Sequence, residues 1–289
     1  MKRHTAGFTL VELVIVIVVL GVLASGFMAF FRPLIDGYFD ARRRADLTDI
    51  ADTALRRVAQ DVRRAVPNSL NLIDATTVGD GSACLQLVPT VGGGRYRKGI
   101  DLTNDDATCP GAGDCAAFPD ASALASAVVT FDVLLARFSG AQAALQGGNV
   151  IVVNNQNGND VYDGSSRATV TAVAPVPKAA FGMQRVTLSR NPMAGGYDGG
   201  SFQVVAAGEP SVVYTCTNGR LRRSVGAFAR AAACPAGGDV LATDVLSCEF
   251  LYQANMGGEQ SGYLWMTLAL GRGGEAISLA HGVHVDNVP

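Results

Sequence analysis

An uninterrupted apolar run near the start of the chain is its most prominent hydrophobic feature. The run extends from Phe8 to Phe31 and contains one charged residue, Glu12. Its length exceeds the about 20 residues that a helix needs to cross a bilayer. The pattern predicts a membrane helix, and the basic residues Lys2 and Arg3 before it predict that the N-terminus stays in the cytoplasm.

A cleaved secretory signal is the alternative interpretation of this run. Val22-Leu23-Ala24 weakly matches the small-residue exit site that follows an apolar stretch of about 7–15 residues. The apolar run continues beyond that site through Phe27 and Phe31, however, so the sequence favours a membrane helix.

Helical periodicity continues after the apolar run, now with one polar side. Charged residues, Asp61 among them, occupy the remaining faces, where Asp52 and Arg56 form a favourable i,i+4 pair. The pattern predicts one helix from about Phe8 to Val66, about 90 Å long, with Pro33 as a kink or weak point. Its second half requires an apolar partner surface. The apolar positions that recur at steps of three and four are Leu47, Ile50, Ala54, Leu55, Val58, Val62 and Ala65.

Beyond residue 67 the pattern changes to short β-rich segments separated by glycine and asparagine turns. A long helix followed by many strands predicts an α+β fold, in which the amphipathic half of the helix packs on a largely antiparallel sheet. Asn218-Gly219 predicts a hairpin, whereas Gly92-Gly93-Gly94 is expected to form a turn. The predicted strands are Leu85–Val88, Val128–Phe131, Val150–Val153, Thr169–Val173, Arg185–Leu188, Phe202–Val205, Val212–Thr215, Arg220–Arg223, Ser247–Tyr252 and Tyr263–Leu270.

Charge and cysteine content narrow the class of protein. The net charge of −2 gives no field that would attract nucleic acid. Six cysteines, none in a C-x-x-C pair, favour disulfides in an oxidising compartment over a zinc site. Six cysteines allow fifteen connectivities, which the sequence leaves open. The suggested pairs are Cys109 with Cys115 across a glycine-rich loop, Cys216 with Cys248 between strands, and Cys84 with Cys234 by elimination.

The segment Gly7-Phe8-Thr9-Leu10-Val11-Glu12 resembles the type IV prepilin motif. The resemblance implies that a prepilin peptidase cleaves between Gly7 and Phe8 and methylates the new amino group of Phe8. Glu12 would then face the α-amino group of Phe8 on a neighbouring subunit, and two opposite charges buried together offset much of each other's desolvation cost.

The same resemblance implies a division of the chain by function. Residues 1–7 are the prepilin leader, 8–32 the transmembrane and filament-core helix, 33–66 its amphipathic continuation, and 67–289 a β-rich globular domain. The protein would first reside in the bacterial inner membrane, with its body in the periplasm, and then in a pilus at the cell surface.

Several stretches of the body resemble the O-type minor pilins of the mannose-sensitive haemagglutinin (MSHA) pilus system, and also J-type pseudopilins and W-type minor pilins. This implies a low-copy, non-catalytic subunit that primes or caps a pilus, with other major and minor pilins, prepilin peptidase and the inner-membrane assembly platform as partners. The position of Cys216 and Cys248 recurs in that group, which supports their pairing. The matching stretches are Leu55–Ser69, Val88-Pro89-Thr90, Val213–Cys216, Ser247–Phe250 and His281–Pro289.

Other functions have weaker support in the sequence. A pseudopilin of a type II secretion system shares the N-terminal pattern, and a tip adhesin is a third possibility. No catalytic motif, cofactor or metal site is expected, because His281 and His284 point to opposite faces of a predicted strand. The oxygen-rich loop Asn154–Asp163 fits turn chemistry better than a calcium site, since it has only two carboxylates.

Overall fold

One long helix and a set of antiparallel strands form the described part of the chain. The structure is a computed structural model and describes residues 9–74, 81–99, 116–117, 127–140, 142–178, 181–192, 199–254 and 261–287. Helix α1 spans Leu10–Arg63 and helix α2 spans Asp160–Asp163. The strands are β1 Asn71–Ile73, β2 Cys84–Leu87, β3 Gly92–Tyr96, β4 Val129–Phe138, β5 Val150–Val152, β6 Arg167–Ala174, β7 Gln184–Leu188, β8 Ser201–Val205, β9 Ser211–Thr217, β10 Arg220–Gly226, β11 Asp239–Thr243, β12 Val245–Gln253, β13 Ser261–Arg272 and β14 Glu275–Asp286.

The predicted long helix is confirmed as a single element that continues through Pro33. It ends at Arg63, before the predicted end at Val66, because the chain there pairs with the segment that follows β2. The N–H of Val66 donates to the carbonyl oxygen of Val88 at 2.8 Å. A backbone donor used in this way is no longer available for a helical hydrogen bond.

The C-terminal half of α1 packs on β14, β13 and β11, so the predicted α+β arrangement is confirmed. These strands belong to two sheets, one in the order β1-β2-β9-β10-β11 and one in the order β12-β13-β14. Every strand pair in the described residues is antiparallel. The apolar residues that α1 buries are Leu47, Ala51, Ala54, Leu55, Val58, Ala59 and Val62.

A six-stranded closed barrel is inserted into this arrangement. Its strands follow the order β3-β4-β7-β6-β5-β8, all of which lie in the sequence between β2 and β9. Strands β2 and β9 pair with each other, with Leu87 opposite Val212. The chain therefore leaves the five-stranded sheet, forms the barrel, and returns to the same sheet.

The barrel has its own apolar core, separate from the core under α1. Phe131 stands at its centre, edge-on to the rings of Tyr96 at 6.0 Å and Phe202 at 6.2 Å. Such edge-to-face pairs stabilise a core beyond the effect of area burial alone. In the described residues, the part predicted as one β-rich domain therefore contributes to two large and separate apolar cores, one under α1 and one inside the barrel.

The prediction that Gly92-Gly93-Gly94 forms a turn is wrong, because these residues form most of β3. A Cβ atom on Gly94 would lie 2.2 Å from the carbonyl oxygen of Leu135 and 2.6 Å from Cζ of Phe202. Glycine is therefore required where β3 passes between β4 and β8. All ten predicted strands occur, most with longer bounds, and the strand predicted around His281 and His284 is β14, whereas β1, β3 and β11 were not predicted.

The barrel is joined to the end of α1 by buried polar contacts. The hydroxyl of Tyr162 donates to the carbonyl oxygen of Ser69 at 2.6 Å. The amide of Asn155 donates to the carbonyl oxygen of Pro67, also at 2.6 Å. These bonds fix the Asn154–Asp163 loop, which contains α2, against the chain that leaves the long helix.

Candidate functional site

Helix α1 begins with a reciprocal cap that includes Glu12. Thr9 is the N-cap residue with φ −79° and ψ 151°, and its Oγ1 accepts the N–H of Glu12 at 3.3 Å. In return, Oε2 of Glu12 accepts the backbone N–H of Thr9 at 3.3 Å. This capping box satisfies two donors that a helix N-terminus otherwise leaves open. Oε1 of Glu12 has no hydrogen-bond partner among the described residues, so it is able to accept an external donor.

The sequence prediction did not identify Thr9 as a cap. The signal is present in the sequence, because Thr9 and Glu12 have the S/T-x-x-E spacing of a capping box ahead of an apolar run. The predicted cleavage and methylation residues, Gly7 and Phe8, lie outside the described residues, as does the predicted Cys109–Cys115 pair.

The first half of α1 exposes apolar side chains on all its faces. Leu10 is 79% exposed and Phe27 is 62% exposed, and the pattern continues past Pro33 to Phe39 at 53%. A helix that is apolar all round requires an apolar environment. In the described residues, α1 is the one helix that is long and apolar enough to cross a membrane.

The second half of α1 is fixed to the globular part by a buried charge. The hydroxyl of Tyr214 donates to Oδ2 of Asp61 at 2.6 Å, and Nη2 of Arg223 lies 2.8 Å from the same oxygen. Arg64 binds the other carboxylate oxygen, Oδ1, at 2.7 Å. Arg223 also contacts Glu209, which completes a network between the helix and strands β9 and β10.

The placement of Asp61 on an exposed face of the helix is wrong, since its side chain is fully buried. Burial alone would raise the pKa of Asp61, but the hydrogen bond from Tyr214 and the charge of Arg223 outweigh it. The pKa of Asp61 therefore lies below its ordinary value. Burial and the neighbouring carboxylate of Asp61 raise the pKa of Tyr214. The spacing of three between Val58 and Asp61 places this residue on the apolar stripe, and this signal could have identified it.

Two disulfides link parts of the described globular body, one between the two sheets and one on the side of the five-stranded sheet. Cys216 in β9 is bonded to Cys248 in β12, with Cα atoms 6.1 Å apart. Cys84 in β2 is bonded to Cys234, with Cα atoms 5.9 Å apart, and this bond fastens the segment between β10 and β11 to β2. Both pairs are those suggested from the sequence. Such bonds stabilise mainly by restricting the unfolded chain.

The remaining candidate ligand groups do not converge. His281 lies on the face of β14 towards α1, whereas His284 lies on the other face, 5.2 Å from the ring of Tyr263. In the oxygen-rich loop, Oδ2 of Asp160 accepts the N–H of Asn157 at 3.0 Å, and Oδ1 of Asp163 accepts the N–H of Ser165 at 2.8 Å. Both are local bonds between residues two or three positions apart, as turns form. No group of three or more possible metal ligands occurs in the described ranges.

Comparison with known proteins gave a match at the N-terminal end of the chain. Residues 2–28 match the family described as the prokaryotic N-terminal methylation motif. Comparison with curated proteins and with solved structures gave no match. The matched segment covers Gly7, Phe8, Glu12 and most of the exposed apolar part of α1. The chain therefore carries a type IV pilin-like prepilin signal at the start of a long apolar helix.

Proposed function

We propose that the protein is a minor pilin of a type IV pilus of the MSHA kind. It is inserted in the bacterial inner membrane with its N-terminus in the cytoplasm, and it joins the filament through α1 to prime or cap it. The observation that carries this proposal is the methylation motif directly ahead of a helix whose apolar side chains stay exposed until Leu47. Its role is structural, and it has no catalysis of its own.

The two halves of α1 support this role in different ways. The exposed half suits a lipid environment first and a packed bundle of subunit helices afterwards, because both surroundings are apolar. The buried half fixes the globular part to the helix through an apolar stripe and the Asp61 network. The disulfides suit a body that lies outside the cytoplasm. The proposed partners are prepilin peptidase, other major and minor pilins, and the inner-membrane assembly platform.

Mass spectrometry of the mature protein, with N-terminal sequencing, tests the proposal. The expected product begins at Phe8 and carries a methyl group on its amino nitrogen. A mature chain that begins elsewhere, or one that keeps residues 1–7, would contradict the proposed processing.

A pseudopilin of a type II secretion system is the second candidate, because the body resembles J-type pseudopilins and the N-terminal signal serves both systems. Deletion of the gene distinguishes them. Loss of pili with normal secretion of exoproteins supports the pilus, and the reverse result supports the secretion system. Binding of a glycan by the purified chain would instead assign a tip adhesin.

A further inference from the structure

Two arginines lie side by side at one end of the inserted barrel. Arg167 is the first residue of β6, and Arg190 follows β7. A Cβ atom on Gly164 would lie 3.5 Å from Nη2 of Arg167 and 3.7 Å from Nη1 of Arg190. The two guanidinium groups therefore border the same small region. Gly164 has φ +93°, a conformation that residues with side chains rarely adopt, and so no side chain fills that region.

Among the described residues, this pair lacks the carboxylate partner that two other half-buried arginines have. Arg185 in β7 lies 2.7 Å from Asp132, and Arg223 in β10 lies 2.8 Å from Asp61. Within the described part of the chain, neither Arg167 nor Arg190 forms an ion pair. Two like charges held together in a partly buried place repel each other, which is a cost to the folded state.

Burial, and next the charge of Arg190, lowers the pKa of Arg167, and Asp163 opposes this only in part. The carboxylate of Asp163 therefore does not cancel the combined effect of burial and of Arg190 on the pKa of Arg167.

The hydrogen-bonding capacity of the pair is also incompletely used. Nε of Arg190 is buried and has no hydrogen-bond partner among the described residues. Buried polar groups in folded proteins nearly always have one, so an exception requires an explanation such as a missing ligand. Arg167 is held by its Nε, which donates to the carbonyl oxygen of Val161 at 2.7 Å, and by the ring of Phe228, 4.4 Å from its Cζ. In the part of the chain that the structure describes, its terminal nitrogen atoms form no hydrogen bond.

We propose that Arg167 and Arg190 form a binding site for an oxyanion, that is, for a carboxylate, phosphate or sulfate group. Guanidinium groups present parallel N–H donors that match the oxygen pairs of these anions. A bound anion removes the repulsion between the arginines and gives Nε of Arg190 an acceptor. The site is formed by residues of the barrel and not of α1, and the inference does not depend on the proposed role in a pilus.

Titration calorimetry of the full-length chain in detergent, in chloride buffer at constant ionic strength, tests the site. Inorganic phosphate and acetate are the two probes, and the variants are Arg167→Gln and Arg190→Gln. Arg137→Gln is the matched control, because it removes one exposed positive charge from β4 of the same barrel. The wild type and the control should bind a probe, and either site variant should bind it at least about tenfold more weakly, since it loses charge-assisted hydrogen bonds.

The preferred probe identifies the ligand, since tighter phosphate binding indicates a tetrahedral oxyanion and tighter acetate binding indicates a carboxylate. Thermal unfolding in chloride shows whether the variants fold. Because Arg190→Gln removes a like-charge repulsion, its unfolding midpoint should equal or exceed that of the wild type. A clearly lower midpoint would assign Arg190 a structural role and overturn the proposal. Equal binding by the Arg137→Gln and Arg190→Gln variants, or no binding of either probe by the wild type, would also overturn it.

Discussion

Glu12 has an observed role in the helix cap and a proposed role in filament assembly. Its Oε2 closes the capping box with Thr9, while Oε1 has no hydrogen-bond partner among the described residues and could face a neighbouring subunit under the proposed function. Substitution Glu12→Leu removes both roles but also removes a charge that costs about 2.5 kcal/mol or more in a bilayer. We expect this variant to stay in the membrane fraction and to reduce piliation severely. Membrane fractionation and counting of pili by electron microscopy measure the two effects.

Glu12→Gln distinguishes the cap from the charge. Glutamine keeps an oxygen that accepts the N–H of Thr9, so the helix start is preserved, but it has no negative charge to offset an α-amino group. It should therefore assemble as poorly as Glu12→Leu. Normal pili in the glutamine variant would refute the charge-pairing account of Glu12.

Asp61 should make the folded state less stable as the pH falls into the acid range. Its folded-state pKa is lowered, so its contribution is fully present above its ordinary pKa of about 3.9 and is lost as pH falls through the lower folded-state value. Asp61→Asn leaves Arg223 without its buried partner charge and should cost about 3 kcal/mol near neutral pH. Thermal unfolding of the full-length chain from pH 7 to pH 2 measures both effects. The difference between wild type and variant should shrink in acid, and a constant difference would contradict the assignment.

Local patterns carry the residue roles that the sequence can show. The assembly role of Glu12 is a prediction from its place in a short motif, and the cap at Thr9 was not predicted although its capping-box spacing with Glu12 is visible in the sequence. Asp61 was placed wrongly because residue type was given more weight than helical position. Its burial depends on Arg223 and Tyr214, which are more than 150 positions away in the sequence and have no local signal that connects them to the helix.

At the scale of elements, α1 has one half that supports the fold and one that does not. Leu47 is fully buried against the sheets, whereas Leu34 is 57% exposed. Leu47→Ala should destabilise the globular part by about 2–5 kcal/mol, because it leaves a cavity. Leu34→Ala makes the same chemical change on the same helix and should leave stability unchanged. Chemical unfolding of both variants in detergent checks this, and equal midpoints would show that Leu47 does not contribute to the core.

Strand β3 shows why some elements cannot be predicted from local sequence. Glycine has low strand propensity, and Gly92-Gly93-Gly94 forms a strand only because β4 and β8 enclose it. Gly94→Ala should cost about 1–3 kcal/mol through overpacking against Leu135 and Phe202. Gly147→Ala, where a Cβ atom meets no other atom within 4 Å, is the control for the added methyl group. Thermal unfolding compares them, and a stable Gly94→Ala protein would contradict the close approach.

At the scale of the whole molecule, periodicity and turn signals were sufficient to predict a long helix on an antiparallel sheet. The insertion of a closed barrel was not predicted. The barrel closes through the pairing of β3 with β8, and these two strands are separated in the sequence by most of the insert. The ends of the insert nevertheless meet in space. The N–H of Val91 donates to the carbonyl oxygen of Val204 at 2.8 Å, so the chain enters and leaves the barrel at adjacent positions.

This geometry predicts that the barrel is removable. Residues 91–205 should be replaceable by a turn of about two to four residues that joins Thr90 to Ala206, as in a hairpin. The shortened chain should still form the Cys216–Cys248 disulfide and keep α1 packed on β13 and β14, because neither contact involves the barrel. Its stability should fall, because Val66 and Val88 lose their buried contacts with the barrel. Mass spectrometry of the non-reduced chain and circular dichroism provide the measurements. Degradation of the shortened chain, or scrambled disulfides, would show that the barrel and the helix-bearing part form one inseparable folding unit.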